Sequence, residues 1–247
     1  MRTARILAWN TIQESFRGRF LFLALAFGAV TLYAGMILGL LAADQEARVL
    51  LDFGLALIEL LALASAVYGA ATIVLREMET KTIYLVLTRP VGRASYVAGR
   101  FGGILASTAA AMALMAALHV PMLLWKGWTP SASYAAALAG SFLKVAVTAA
   151  LTLFLALASS SVLTALVIAM TLWALGHFLP EIRFMIRWTS QGPVVVPLTA
   201  LSYVIPDLQL LNLRERAEPL LKALAYALVY AGTWTTLAAL KLRRKEF

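Results

Sequence analysis

The chain has 247 residues, of which 62% are apolar and 13% charged, against about 45–50% and about 25% in an ordinary soluble domain. The apolar residues come in long uncharged blocks that a water-soluble monomer of this length cannot hide, so the expected fold is an all-α integral membrane protein. With no cysteine, a disulfide framework, a thiolate zinc site and a cysteine nucleophile are excluded.

Residues 1–19 place Ile6, Trp9, Ile12 and Phe16 at helical spacing, with Arg5, Asn10, Gln13 and Arg17 largely elsewhere on the wheel. This pattern predicts an amphipathic helix lying on the membrane surface; the plainer reading is a basic flank. Crossing about 30 Å of hydrocarbon takes about 20 helical residues, and six segments qualify: about 20–41, 49–75, 101–125, 134–158, 162–179 and 219–240. The first is too long for the core of a signal peptide, usually about 7–15 residues, and is read as uncleaved. The stretch 145–180 carries no formal charge and is too long for one helix, so it is divided at Ser159-Ser160-Ser161. A further uncharged stretch, 188–206, holds Gly192, Pro193, Pro197 and Pro206, which predict a broken or re-entrant segment within an outer loop over 180–218.

Six spans put both termini on one side. Segments 1–19, 76–100 and 241–247 hold 13 Lys and Arg in 51 residues, whereas 42–48, 126–133 and 181–218 hold six in 53. Basic residues accumulate on the cytoplasmic side, so both termini and the 76–100 loop are expected there. The net charge of +9 is then a matter of topology, and nucleic acid is not an expected partner.

The 76–100 loop is the most informative segment. Residues 80–88 can form about two helical turns with Ile83, Leu85, Val86 and Leu87 available for burial. Arg89-Pro90-Val91-Gly92 ends them, because the residue before proline avoids the helical region. A second helix can start at about Arg93, with Gly99 and Gly103 on one face for close packing, as Gly35 and Gly39 are in the first span. A short, partly apolar helix between two spans suits the docking of a soluble partner.

The segment REMETKTIYLVLTRPVGRASYVAGRFGG resembles the first cytoplasmic loop of ABC-2-type permeases, the membrane subunits of ATP-driven exporters. Glu77, Thr82, Pro90, Val91, Arg93, Tyr96 and Gly99 match the family pattern; Gly92 stands for its serine and Arg100 for its lysine. The segment YVIPDLQLLNL over 203–213 is similar to the motif that precedes the family's last span. The nearest branch is the permeases of multicopper enzyme maturation, such as that of nitrous oxide reductase. The resemblance implies one six-helix transmembrane domain over 20–247 that pairs with a second permease copy, as a homodimer, and with two copies of a cytosolic ABC ATPase. ATP and magnesium would be held by that ATPase and no cofactor by this chain. It further implies a prokaryotic cytoplasmic membrane and a possible periplasmic accessory protein. Contacts to the ATPase would come from a coupling helix, with Glu77, Glu79, Arg89 and Arg93 polar and Ile83, Tyr84 and Leu87 apolar, flanked by Thr82 and Pro90. The sequence has no Gly-x-x-x-x-Gly-Lys-Ser/Thr loop to cradle phosphates, so no catalysis is expected of this chain alone.

Asp52, Glu59 and Lys144 are charged residues inside spans. Asp52 and Glu59, seven apart, share a helix face, and Glu59 and Lys144 lie at similar depth, about 15 Å from the outer ends of their spans. An unpaired charge there is costly, so Glu59 and Lys144 are expected as an ion pair, with a neutral hydrogen-bonded Glu59 or a substrate path as the alternatives. Met115, His119 and Met122 recur at helical spacing; packing is the first reading and a copper(I) site the second. The rival function is an ion-coupled secondary transporter using Asp52, Glu59 and Lys144, although no internal repeat supports it. An intramembrane enzyme ranks last, because neither His-Glu-x-x-His nor Gly-x-Ser-x-Gly occurs.

Overall fold

The computed structural model describes residues 2–18, 20–41, 45–80, 92–159, 161–189, 195–214 and 220–244. Among the described residues the chain is helical and contains no strand. In order, the elements are α1 (Arg2–Gly18), α2 (Phe20–Leu41), α3 (Glu46–Glu79), α4 (Arg93–Trp125), α5 (Ala132–Ala158), α6 (Val162–His177), α7 (Leu179–Thr189) and α8 (Val195–Val204). A single 3-10 turn (Gln209–Leu211) and α9 (Leu220–Arg244) follow. Among the described residues, α3, α4, α5 and α9 are long and apolar enough to cross a membrane. The pair α6 and α7, bent by 69°, makes a fifth if it is one broken span.

The helices outrun several expected spans. At 34 residues α3 is about 50 Å long, well beyond a hydrocarbon thickness of about 30 Å, with charged residues near both ends, among them Glu46, Arg76, Glu77 and Glu79. Pro121 is accommodated within α4, which continues to Trp125. The break between Ala158 and Val162 coincides with the serine run. Of the stretch 188–206, the described residues hold the end of α7 and α8, the latter ten residues long and too short to span. Apart from Thr80, which follows the last turn of α3, the helix expected over 80–88, and with it Thr82, Ile83, Tyr84, Leu87, Arg89 and Pro90, lies outside the described residues.

The centre of the bundle is α5. Nearly every residue from Gly140 to Leu153 is buried, because α3, α9, α6 and α4 surround it. By contrast, α2, α6 and α9 each turn large apolar side chains outward, among them Phe22 (72% exposed), Leu163 (69%) and Leu228 (73%). A fold with apolar side chains both at its centre and on its outer faces is suited to a hydrocarbon solvent.

Two ends of the bundle are defined by contacts. At one, α1 lies along α4, and Arg93 of α4 reaches the last turn of α9. At the other, Lys126 beyond α4 pairs with Glu46 of α3, and the 205–213 segment packs over α5 and α6. The packed face of α1 is formed by Leu7 and Thr11, whereas Ile6 and Trp9 of the expected stripe remain more than half exposed. This close approach needs Gly103: a Cβ there would stand 2.5 Å from Thr11 Cβ and 2.8 Å from the Ala8 carbonyl oxygen. Gly99, one turn earlier, is also buried. Gly35 makes only ordinary contact, 3.7 Å from Leu50 to an added Cβ, and Gly39 falls outside the described side chains.

Candidate functional site

The first candidate lies where the chain leaves α3 and re-enters α4, on either side of 81–91. Glu77, in the last turn of α3, accepts an ion pair from Arg100 and a hydrogen bond from the Tyr96 hydroxyl, both on α4. Arg100, only 7% exposed, also donates from Nη1 to Thr11 Oγ1 of α1 at 2.8 Å. One turn before Tyr96, Arg93 Nη1 donates to the carbonyl oxygens of Leu242 (3.1 Å) and Arg243, at the C-terminal end of α9. Carbonyls there have no helical partner, and the helix dipole favours a cation beside them. Arg93, Glu77 and Arg100 thereby tie α1, α3, α4 and α9 together at the root of the loop. Glu77 and Arg93, expected to face a partner, make these described bonds within the chain; Glu79 is exposed.

The second candidate is a charged cleft between α3 and α5. Lys144 Nζ donates to both carboxylate oxygens of Glu59, at 3.2 and 3.1 Å, and Ser141 Oγ donates to Oε2 at 2.6 Å. His177 donates from Nδ1 to the Trp173 carbonyl at 3.1 Å, which leaves its Nε2 facing Glu59 Oε1 at 3.8 Å. The two charges share strong hydrogen bonds at a site where either alone would be expensive. Above them, Asp52 pairs with Arg214, and Arg48 completes the mouth of a cavity of about 530 Å³ that also touches Asn212. The structure thus brings Glu59 and Lys144 together and gives Asp52 a different partner.

Reasoning from sequence missed Ser141, His177, Arg48 and Arg214. For Ser141 a signal was present: Ser141, Lys144, Thr148 and Thr152 recur at three- and four-residue steps and form one polar stripe on a helix otherwise apolar. In the structure Thr148 and Thr152 turn their hydroxyls back onto the carbonyls of Lys144 and Thr148. No local pattern announces His177 or Arg214, which arrive from the far end of the chain.

The 203–213 segment closes this end of the bundle. Ile205, Leu208 and Leu211 are buried, and the Leu208 amide donates to the Gly176 carbonyl at 3.3 Å. Asp207 accepts from Arg183 at 2.9 Å and from the Leu210 amide at 3.3 Å, while its own amide donates to Tyr226 Oη at 2.7 Å. Glycine is needed beneath it: a Cβ on Gly140 would lie 2.4 Å from the Leu211 carbonyl oxygen.

His119 has a packing role. Its Nε2 donates to the Leu50 carbonyl at 3.2 Å and its Nδ1 accepts from the Tyr134 hydroxyl at 3.1 Å, so one tautomer occupies both ring nitrogens. The ring sits directly over Gly54, where a Cβ would come within 2.1 Å of it. Met115 is fully buried in the core. Among the described residues, no group of three His, Cys, Asp or Glu is placed to hold a metal ion.

No protein-family model matches this chain, and no curated protein matches it.

Proposed function

We propose that this chain is the membrane subunit of an ATP-driven exporter of the ABC-2 type, with the 81–91 segment as its input from a cytosolic ATPase. The observation that carries the reading is the polar root of that segment, where Glu77, Tyr96, Arg100 and Arg93 link four helices at one point. A push on 81–91 is delivered to α3 and α4 directly, to α1 through Thr11, and to α9 through its terminal carbonyls. Glu79 and the residues of 81–91 are then the contacts offered to the partner, and Glu77 and Arg93 are the stem that transmits its motion.

In this reading α2, α3, α4, α5, the α6–α7 pair and α9 are six spans. Helix α1 lies at the interface with Trp9 directed to the headgroups, and both termini share the ATPase side. The excess of basic residues near the termini and around 81–91 supports this orientation. Two ATPase copies and a second permease copy complete the assembly, and movement of the bundle either exports a substrate or drives an external maturation factor. ATP and magnesium belong to the partner.

The test is purification of the tagged chain in mild detergent. A nucleotide-binding protein should come with it, and its ATPase rate should fall when 81–91 is replaced by a Gly/Ser linker of equal length. The charged cleft favours a second reading, an ion-coupled secondary transporter. That reading wins if the purified chain, alone in liposomes, moves solute down an ion gradient.

A further inference from the structure

The cleft between α3 and α5 has a charge balance that the ion pairs do not use up. Among the described residues its walls hold three cations, Arg48, Lys144 and Arg214, and two anions, Asp52 and Glu59. Lys144 is matched by Glu59 and Arg214 by Asp52, so the charge of Arg48 is the surplus. From Arg48 to Glu59 the cleft follows eleven residues of α3, about 16 Å along the helix. A charged wall of that depth is incompatible with lipid tails and calls for water or a polar occupant. The cleft opens at the end of the bundle away from 81–91, where Arg48 and Arg214 flank its mouth.

We propose that this cleft is an aqueous binding site for a compact anion, a carboxylate or an oxyanion. Arg48 and Arg214 attract it, and the third N–H of Lys144, beyond the two given to Glu59, meets it at the floor. Guanidinium groups present planar pairs of donors that match either class. This names a ligand class for the bundle and does not depend on what drives the protein, so it fails or stands separately from the ATPase reading.

The native chain has no cysteine, so a single thiol reports on the cleft without background. Ala56 lines the cleft and is exposed, and Ser131, exposed at the same end of the bundle, is the control position. Ala56→Cys and Ser131→Cys chains, full length in phosphatidylcholine liposomes at low ionic strength, are reacted with sulfonate-bearing and trimethylammonium-bearing methanethiosulfonates. Relative to Ser131→Cys, Ala56→Cys should prefer the anionic reagent about threefold, the effect of one unmatched charge about 12 Å away, eight residues along α3, in water. Adding Arg48→Gln should abolish the preference, and adding Asp52→Asn should raise it. Protection of the thiol by inorganic phosphate, beyond that given by chloride at equal ionic strength, assigns the site to a soluble anion. Protection by phosphatidylglycerol in the liposomes instead assigns it to a lipid headgroup, and either result keeps the proposal. A thiol that does not react, reacts without charge preference, or is protected by neither overturns it.

Discussion

If Glu59 and Lys144 hold α3 against α5, their contributions to stability must be strongly non-additive. Lys144 is 7% exposed, and it meets both oxygens of Glu59 within 3.2 Å. Glu59→Gln keeps an acceptor for Ser141 but leaves the Lys144 charge buried without a counter-charge; Lys144→Met strands Glu59 in the same way. Each single change should cost about 3–5 kcal/mol, the typical penalty for breaking a buried pair from one side. The double variant removes both charges and should cost no more than either single one, giving a coupling of about 3 kcal/mol or more. At about 2–4 °C per kcal/mol for a chain of this size, each single variant should melt about 6–20 °C below the native protein. Thermal unfolding in detergent, followed by the far-UV helical signal, measures all four corners of the cycle. Additive losses, with the double variant as low as the two single losses combined, would refute a mutual pair and leave two independently solvated charges.

Arg100→Leu should be among the most damaging single changes at the loop root, about 3–5 kcal/mol, because it removes the cation paired with Glu77 and a donor to Thr11; Arg93→Gln, which weakens the bonds to the Leu242 and Arg243 carbonyls, should cost about 1–2 kcal/mol in the same melting assay. Gly140→Ala should cost about 1–3 kcal/mol by forcing the Leu211 carbonyl away, and limited proteolysis should then cut faster within 205–214. Met115→Leu, nearly volume-conserving at a fully buried position, should cost less than about 1.5 kcal/mol, and copper(I) titration should give the same curve before and after it. A stoichiometric copper(I) site lost in that variant would show that the methionine does more than pack.

Sequence alone determined the solvent of this protein and the rough positions of its helices. Uncharged blocks of about 20 residues can satisfy their backbone in hydrocarbon only as helices, so composition and length decide element type with little help from packing. The serine run between α5 and α6 and the start of α4 at Arg93 were legible for the same local reason. Within the candidate sites, depth counting set Glu59 and Lys144 level with each other, since rise per residue is constant along a helix. What local chemistry cannot carry is which helix faces which. That α5 is the central helix, that Asp52 takes Arg214, and that His177 comes to Glu59 all depend on contacts between segments tens to more than a hundred residues apart. The inward turn of Glu77 and Arg93 is of the same kind. As isolated side chains at a helix end both are free to face a partner, and only the arrival of Arg100 and of the last turn of α9 turns them into bonds within the bundle.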